Sequence, residues 1–160
     1  MRTALVPGSF DPITLGHVSV IERSSLLFDK VIVCVMLNEH KQYMFSLSER
    51  AELVKDAVAH LKNVQVDTWD GMLWEYAQKQ EVCAIVKGVR NGKDTDYELP
   101  QAYFNSQKYP QALTVFLPAE ENKAQISSTL VRNSVQDDTD YRQLVPQKVY
   151  EAVMKKKRGI

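Results

Sequence analysis

The sequence predicts an α/β fold built as a doubly wound parallel sheet, and three observations predict it. Five short apolar runs, at 4–6, 31–37, 64–66, 82–86 and 113–117, alternate with stretches of helical periodicity. The runs Val31-Ile32-Val33-Cys34-Val35-Met36-Leu37 and Val82-Cys83-Ala84-Ile85-Val86 are nearly continuous rather than alternating, as strands covered on both faces are. The first run passes through Pro7-Gly8 into a helix whose first turn carries Thr14-Leu15-Gly16-His17, the layout of a βα junction that handles phosphate. In such sheets ligands bind outside the carboxyl ends of the strands, so the loops after strands one, two, four and five are where function is sought.

That first helix is expected to continue over 18–28, where Val18, Val20, Ile21, Leu26, Leu27 and Phe28 recur at roughly helical spacing. After the second strand, 38–45 reads as a polar, irregular loop, and Ser46 with Glu49 has the spacing of a capping box that opens a helix over 47–60. A short third strand at 64–66, a third helix over 72–80 and a buried fourth strand at 82–86 follow. Where that strand ends, Lys87-Gly88-Val89-Arg90-Asn91-Gly92-Lys93-Asp94 reads as a second binding loop, since its glycines let backbone approach a ligand closely. Proline is tolerated in a first turn, so the next helix is expected to start near Pro100 and run to about 107. The fifth strand at 113–117 leads through a polar loop, 119–125, to a helix over 126–132 that opens with the hydroxyls of Ser127, Ser128 and Thr129. A last amphipathic helix, 146–156, puts Val149, Val153 and Met154 on one side and ends in a basic tail.

The 160 residues are expected to form one domain, 1–160, without repeats, low-complexity tracts or linkers. Lysine plus arginine and aspartate plus glutamate each number 20, so the chain is neutral and carries no basic stripe of the kind nucleic-acid binders show. No long uncharged apolar run and no leader pattern are evident, which predicts a cytoplasmic protein without a membrane partner. Cys34 and Cys83 sit in apolar runs and are expected to be buried, reduced thiols. No His/Cys/Asp/Glu cluster suggests a metal held by the protein; His40 reads as a loop residue and His60 as a helix-end residue.

Within the first motif, Gly16 removes a side chain where a phosphate would approach and His17 can donate a hydrogen bond to it, while the helix dipole favours negative charge at the same place. Equally, Thr14 can cap the helix with His17 an ordinary polar residue, Lys41 can be a solvated loop lysine, Arg90 and Glu98 a surface ion pair, and Ser127 a plain cap. The combination of blocks is more specific. Pro7-Gly8-Ser9-Phe10-Asp11-Pro12-Ile13-Thr14-x-Gly16-His17, Lys41 before Met44-Phe45, Gly88-x-Arg90 with Asp94-x-x-Tyr97-Glu98, and Ile126-Ser127-Ser128-Thr129-Leu130-Val131 together make the chain resemble the bacterial phosphopantetheine adenylyltransferases of the nucleotidyltransferase superfamily. The likeness covers nearly the whole length and implies a single Rossmann-like domain with a five-stranded parallel sheet and helices on both faces.

The resemblance implies transfer of an adenylyl group from ATP to 4'-phosphopantetheine, giving dephospho-coenzyme A and pyrophosphate by direct attack of the acceptor phosphate on the α-phosphorus. Catalysis would fall to His17 and Lys41. ATP would meet Ser9, Phe10, His17, Gly88, Val89, Arg90, Glu98 and the segment Lys123, Ala124, Gln125, Ile126, Ser127, Ser128, Thr129, and the acceptor would meet Ser9, Lys41, Leu73 and Lys87. Mg²⁺ would arrive with ATP, held by phosphates and water. The resemblance also implies a homohexamer and binding of coenzyme A. The chain departs from the family pattern at Lys87, where arginine is usual, at Thr129 in place of a third serine, at Lys123-Ala124-Gln125, which lacks the aromatic residues some members carry, and at Pro100. A related enzyme acting on another phosphorylated acceptor, such as nicotinate mononucleotide or the substrate of a cytidylyltransferase, and a nucleotide-binding regulator without catalysis are the competing readings.

Overall fold

The computed structural model describes residues 1–159. Five strands, β1 (Thr3–Gly8), β2 (Lys30–Met36), β3 (Val64–Trp69), β4 (Ala84–Val89) and β5 (Leu113–Pro118), form one all-parallel sheet in the order β3-β2-β1-β4-β5. Side chains alternate across it as the pleat requires. Ala4, Val6, Val31, Val33, Val35, Ala84 and Val86 join one buried cluster with α1 (Leu15–Leu27), α2 (Leu47–Ala57), α5 (Ser128–Gln136) and α6 (Gln147–Lys157). Leu5, Ile32, Cys34 and Ile85 face the other way, onto Leu73, Tyr76 and Ala77 of α3 (Leu73–Lys79). Both faces are therefore covered, which is why the second and fourth apolar runs do not alternate. No described helix is long and apolar enough to cross a membrane.

The strand order reverses between β1 and β4, and there the sheet opens. Strand β1 runs in register with β2 from Thr3↔Lys30 to Gly8↔Val35, yet it pairs with β4 only at Ala4↔Ala84 and Leu5↔Ile85. Pro7, which has no N–H to give to a ladder, lies just past the last pair. The gap between the two strands is lined by Val6, Pro7 and Gly8 on one side and by Val86, Lys87 and Gly88 on the other. A crevice at the reversal point of a doubly wound sheet is where such folds bind ligands.

Most boundaries shift by one to three residues from the sequence reading, and those nearest the crevice matter most. Strand β4 continues through Lys87, Gly88 and Val89, which pair with Phe116, Leu117 and Pro118, so those residues are strand and not loop; the apolar run stops at Val86 because the strand's end faces the crevice. Helix α4 (Gly92–Lys108) starts well before Pro100, capped by Asn91, whose side chain accepts from the Asp94 N–H at 3.0 Å. One missing donor in 17 residues does not break a helix so anchored. Strand β3 reaches Trp69, and α5 begins at Ser128 with Ser127 as its cap, not at Ile126. Of the two free thiols, Cys34 is buried and its pKa is pushed up to about 12 by that burial, with Asp67 adding to the effect. Cys83 is only partly buried, its Sγ 3.4 Å from the Thr3 carbonyl.

Candidate active site

Two adjoining clefts occupy the carboxyl edge of the sheet. The larger, about 1100 Å³, is lined by Ser9, Phe10, Lys41, Leu73 and Lys87 among others; the smaller, about 430 Å³, by Arg90, Lys123, Ile126, Ser127, Ser128 and Thr129. His17, Val20, Lys41, Gly88, Tyr97 and Glu98 line both, so the two spaces meet at the imidazole and the lysine. Of the residues the sequence singled out, Val89, Ala124 and Gln125 line neither cleft, and Ser9 and Phe10 line only the larger.

His17 is held in one orientation by its own helix. Thr14 caps α1, its Oγ1 accepting from the His17 N–H at 3.3 Å, while the Thr14 N–H donates to His17 Nδ1 at 3.0 Å. The cap and the phosphate-facing reading coexist: Nδ1 accepts, so the proton of the neutral ring sits on Nε2, which is left to donate into the clefts. Desolvation, reinforced by the Arg90 charge, lowers the pKa of His17 from 6.5 to about 4, so the ring is neutral at physiological pH. The edge-to-face ring of Phe10 buttresses it, with centroids 5.1 Å apart. Phe10 itself has φ of 49°, a left-handed backbone uncommon for a bulky residue, and its ring fills the space beside Gly8, where a Cβ would come within 2.9 Å of it.

The wall formed by β4 and α4 is a set of ion pairs. Lys87 Nζ lies 3.2 Å from Glu98 Oε2, and Arg90 holds Asp94 through two bonds of 3.0 and 3.2 Å. Arg90 and Glu98, which the sequence could pair with each other, thus take different partners. The Arg90 guanidinium and N–H beside Asp94 hold that carboxyl below its ordinary pKa. Gly88 serves packing as well as the clefts it lines: a Cβ there would lie 2.7 Å from Val20 Cγ2, so its absence lets α1 sit against β4.

At α5 the three hydroxyls have partners inside the protein. Ser127 Oγ accepts from the Leu130 N–H, Ser128 Oγ donates to the Pro12 carbonyl at 2.8 Å, and Thr129 Oγ1 accepts from Arg132 at 3.2 Å. Only Ser128 spends its proton in this way, so a phosphate in the smaller cleft would meet the O–H donors of Ser127 and Thr129 as well as the N–H groups of the first helical turn. Among the described residues no group of three or more His, Cys, Asp or Glu side chains is placed to hold a metal ion.

Three residues that join these segments escape motif reasoning: Asp11, Arg50 and Arg132. Asp11 is 2 % exposed and Arg50 fully buried. Asp11 accepts from the N–H groups of Met44 and Phe45 at 2.8 and 2.9 Å, and Arg132 donates to the Asp11 carbonyl at 2.7 Å. Arg50 donates to the carbonyls of Ser9, Met36 and Phe45 at 2.7, 2.9 and 3.2 Å and lies over the Tyr43 ring. The one signal available was charge at core positions: Asp11 lies inside the signature, and Arg50 is on the same helical face as Ala51 and Val54.

Comparison with known proteins agrees with this fold. Residues 5–134 match the cytidylyltransferase-like family model. The phosphopantetheine adenylyltransferase of Caldanaerobacter subterraneus is 43% identical over 156 residues, covering 98% of both chains, and that of Shouchella clausii is 39% identical over 153 residues, covering 96% of both. A solved structure of a candidate nicotinate-nucleotide adenylyltransferase from Vibrio parahaemolyticus superposes with a TM-score of 0.74 at 21% identity, covering all of this chain and 98% of that one, a likeness of fold alone. With relatives of this similarity along nearly its whole length, the chain belongs to the phosphopantetheine adenylyltransferases.

Proposed function

We propose that this site transfers the adenylyl group of ATP to the phosphate of 4'-phosphopantetheine, giving dephospho-coenzyme A and pyrophosphate. The observation that carries this reading is the meeting of the two clefts at His17 and Lys41, which lets one substrate in each cleft present its phosphate at a common point. An acceptor phosphate oxygen forms a bond to the α-phosphorus as the bond to the bridging α,β oxygen breaks, and pyrophosphate takes the electron pair away. Chemistry of this kind asks for alignment and for stabilisation of charge on the equatorial oxygens, and needs no protein nucleophile.

In this reading ATP occupies the smaller cleft, its α-phosphate accepting from His17 Nε2, with the amides of Ser127, Ser128 and Thr129 and the cations of Arg90 and Lys123 on the outer phosphates. The acceptor occupies the larger cleft, with Leu73 beside its arm and Ser9, Lys41 and Lys87 toward its phosphate. His17 acts as a neutral donor: with Nδ1 engaged and a pKa of about 4, it has no proton-accepting role near neutral pH. Mg²⁺ would arrive on the nucleotide, held by its phosphates and water, and would supply charge neutralisation there. The same reading makes the protein a cytoplasmic homohexamer that also binds coenzyme A, an assembly that light scattering measures.

Incubation of the purified protein with ATP, Mg²⁺ and a panel of phosphorylated acceptors, with pyrophosphate as the readout, tests the reading. Release with phosphopantetheine and not with nicotinate mononucleotide is the expected result. Release only with another acceptor, or binding of nucleotide without release, would overturn it.

A further inference from the structure

The catalytic pair is carried by different segments: His17 follows the loop after β1, and Lys41 lies in the loop after β2. A lysine on a loop of 38–45 has many places to be, and something must fix where that loop sits relative to the first. The buried polar groups between the two segments run in both directions. From the first loop, the Asp11 carboxylate spends both oxygens on successive N–H groups of the second, Met44 and Phe45. From α2, Arg50 reaches back past the second loop to the carbonyl of Ser9 in the first, and on the way takes the carbonyls of Met36, where the second loop leaves β2, and Phe45, where it ends. Its guanidinium lies 3.9 Å above the Tyr43 ring, and the Tyr43 hydroxyl accepts from the Asn38 N–H at 2.8 Å. One end of the Lys41 loop is thus bonded directly to Asp11, and the other is tied to Ser9 through Arg50.

Neither Asp11 nor Arg50 lines either cleft, so neither touches substrate. Their burial is costly, and an apolar pair could fill the same space; what such a pair could not do is fix one register between two irregular backbones. Asp11 carries a third segment as well, since its carbonyl accepts from Arg132 of α5 and the next carbonyl, of Pro12, accepts from Ser128. We propose that Asp11 is a positioning residue for adenylyl transfer: its carboxylate, with Arg50 reaching in the opposite direction, clasps the Lys41 loop to the His17 loop and so sets the lysine against the imidazole. The proposal rests on the assignment of His17 and Lys41 to the chemistry.

The full chain is tested as Asp11→Asn, Lys41→Ala and the double variant. An amide can accept from only one of the two N–H groups and turns a donor toward the other, so Asp11→Asn loosens the loop without changing volume. Misplacement of a reacting group by about 1 Å costs on the order of 10²-fold, and that is the expected fall in kcat/KM for the acceptor, with ATP affinity unaltered. In the Lys41→Ala background the same change is expected to cost no more than about 2-fold, because the two residues act as one unit. Amide exchange at Met44 and Phe45, measured without substrate, is expected to quicken by about 10-fold or more in Asp11→Asn. Equal costs in both backgrounds, or unchanged exchange at the two amides, would overturn the proposal. The exchange measurement is independent of which acceptor is used, so a wrong acceptor leaves wild-type turnover absent while the clasp is still judged. Should Asp11→Asn fail to fold, Arg50→Lys, which keeps the charge and loses the three-way donation, is put through the same cycle with the same expected and contrary results.

Discussion

On the β1/β2 side of the site the charged groups are buried and bonded to backbone, whereas on the β4/α4 side they pair with one another near the surface. Asp11 and Arg50 lie out of water and between them take two N–H groups and three carbonyls. Lys87, Glu98, Arg90 and Asp94 each keep between a fifth and about a third of their side chains exposed. Removing one partner of the first kind strands a buried charge, while exposed pairs are worth at most about 1 kcal/mol and can be exchanged for a ligand's charge. The first wall is therefore a fixed frame for the reacting groups. The second is a set of cations whose present partners, Glu98 for Lys87 and Asp94 for Arg90, a phosphate can displace.

The largest expected effect breaks the fixed wall at its reacting end. His17→Ala removes a donor whose bond strengthens as charge develops, and turnover is expected to fall about 10²- to 10³-fold with ATP affinity little changed. A variant that chiefly loses ATP affinity would put His17 in ground-state binding instead. Next comes Gly88→Ala, where the two walls meet through α1. A Cβ 2.7 Å from Val20 Cγ2 cannot be accommodated without a shift, and a loss of about 1–3 kcal/mol in denaturant unfolding is expected. An unchanged midpoint would show that β4 moves freely against α1.

Smaller effects belong to the exchangeable wall. Lys87→Arg replaces a point charge with a two-pronged donor and is expected to preserve or tighten acceptor binding, whereas Lys87→Ala weakens it. Unaltered affinity in both would remove Lys87 from the acceptor's phosphate. The mildest test is pH. His17 has a folded-state pKa of about 4 against 6.5, so the unfolded chain takes up its proton first, and the ring's share of stability, full above about 6.5, is lost as pH falls from there to about 4. For the same reason His17 is expected to add no inflection near 6.5 to kcat/KM beyond those of the substrate phosphates, which persist in His17→Ala. An inflection there that His17→Ala abolishes would mean the imidazole titrates in the ordinary range.

How much of this was legible beforehand follows from what leaves a local trace. The five strands were visible as apolar runs, and the two glycine-bearing segments could be put at one sheet edge, because periodicity and the alternation rule act over a few residues. Where polar residues continue an element, the trace fails. Lys87 and Gly88 interrupt the apolar run of a strand that continues to Val89, and the start of α4 is fixed by Asn91 and Asp94 rather than announced by Pro100. The partner of the Ser128 hydroxyl was likewise hidden, since Pro12 meets it only in the fold. The joint role of Asp11 and Arg50 was illegible for the same reason: 39 residues separate them, and charge at a core position marks each singly without showing what it bonds.

The most direct test of the junction at His17 and Lys41 is the stereochemical course at the α-phosphorus, followed with ATP made chiral there by sulfur. Direct transfer between substrates in adjoining clefts predicts inversion. Retention would require two displacements, with the adenylyl group resting on a protein side chain in between, and would contradict the account.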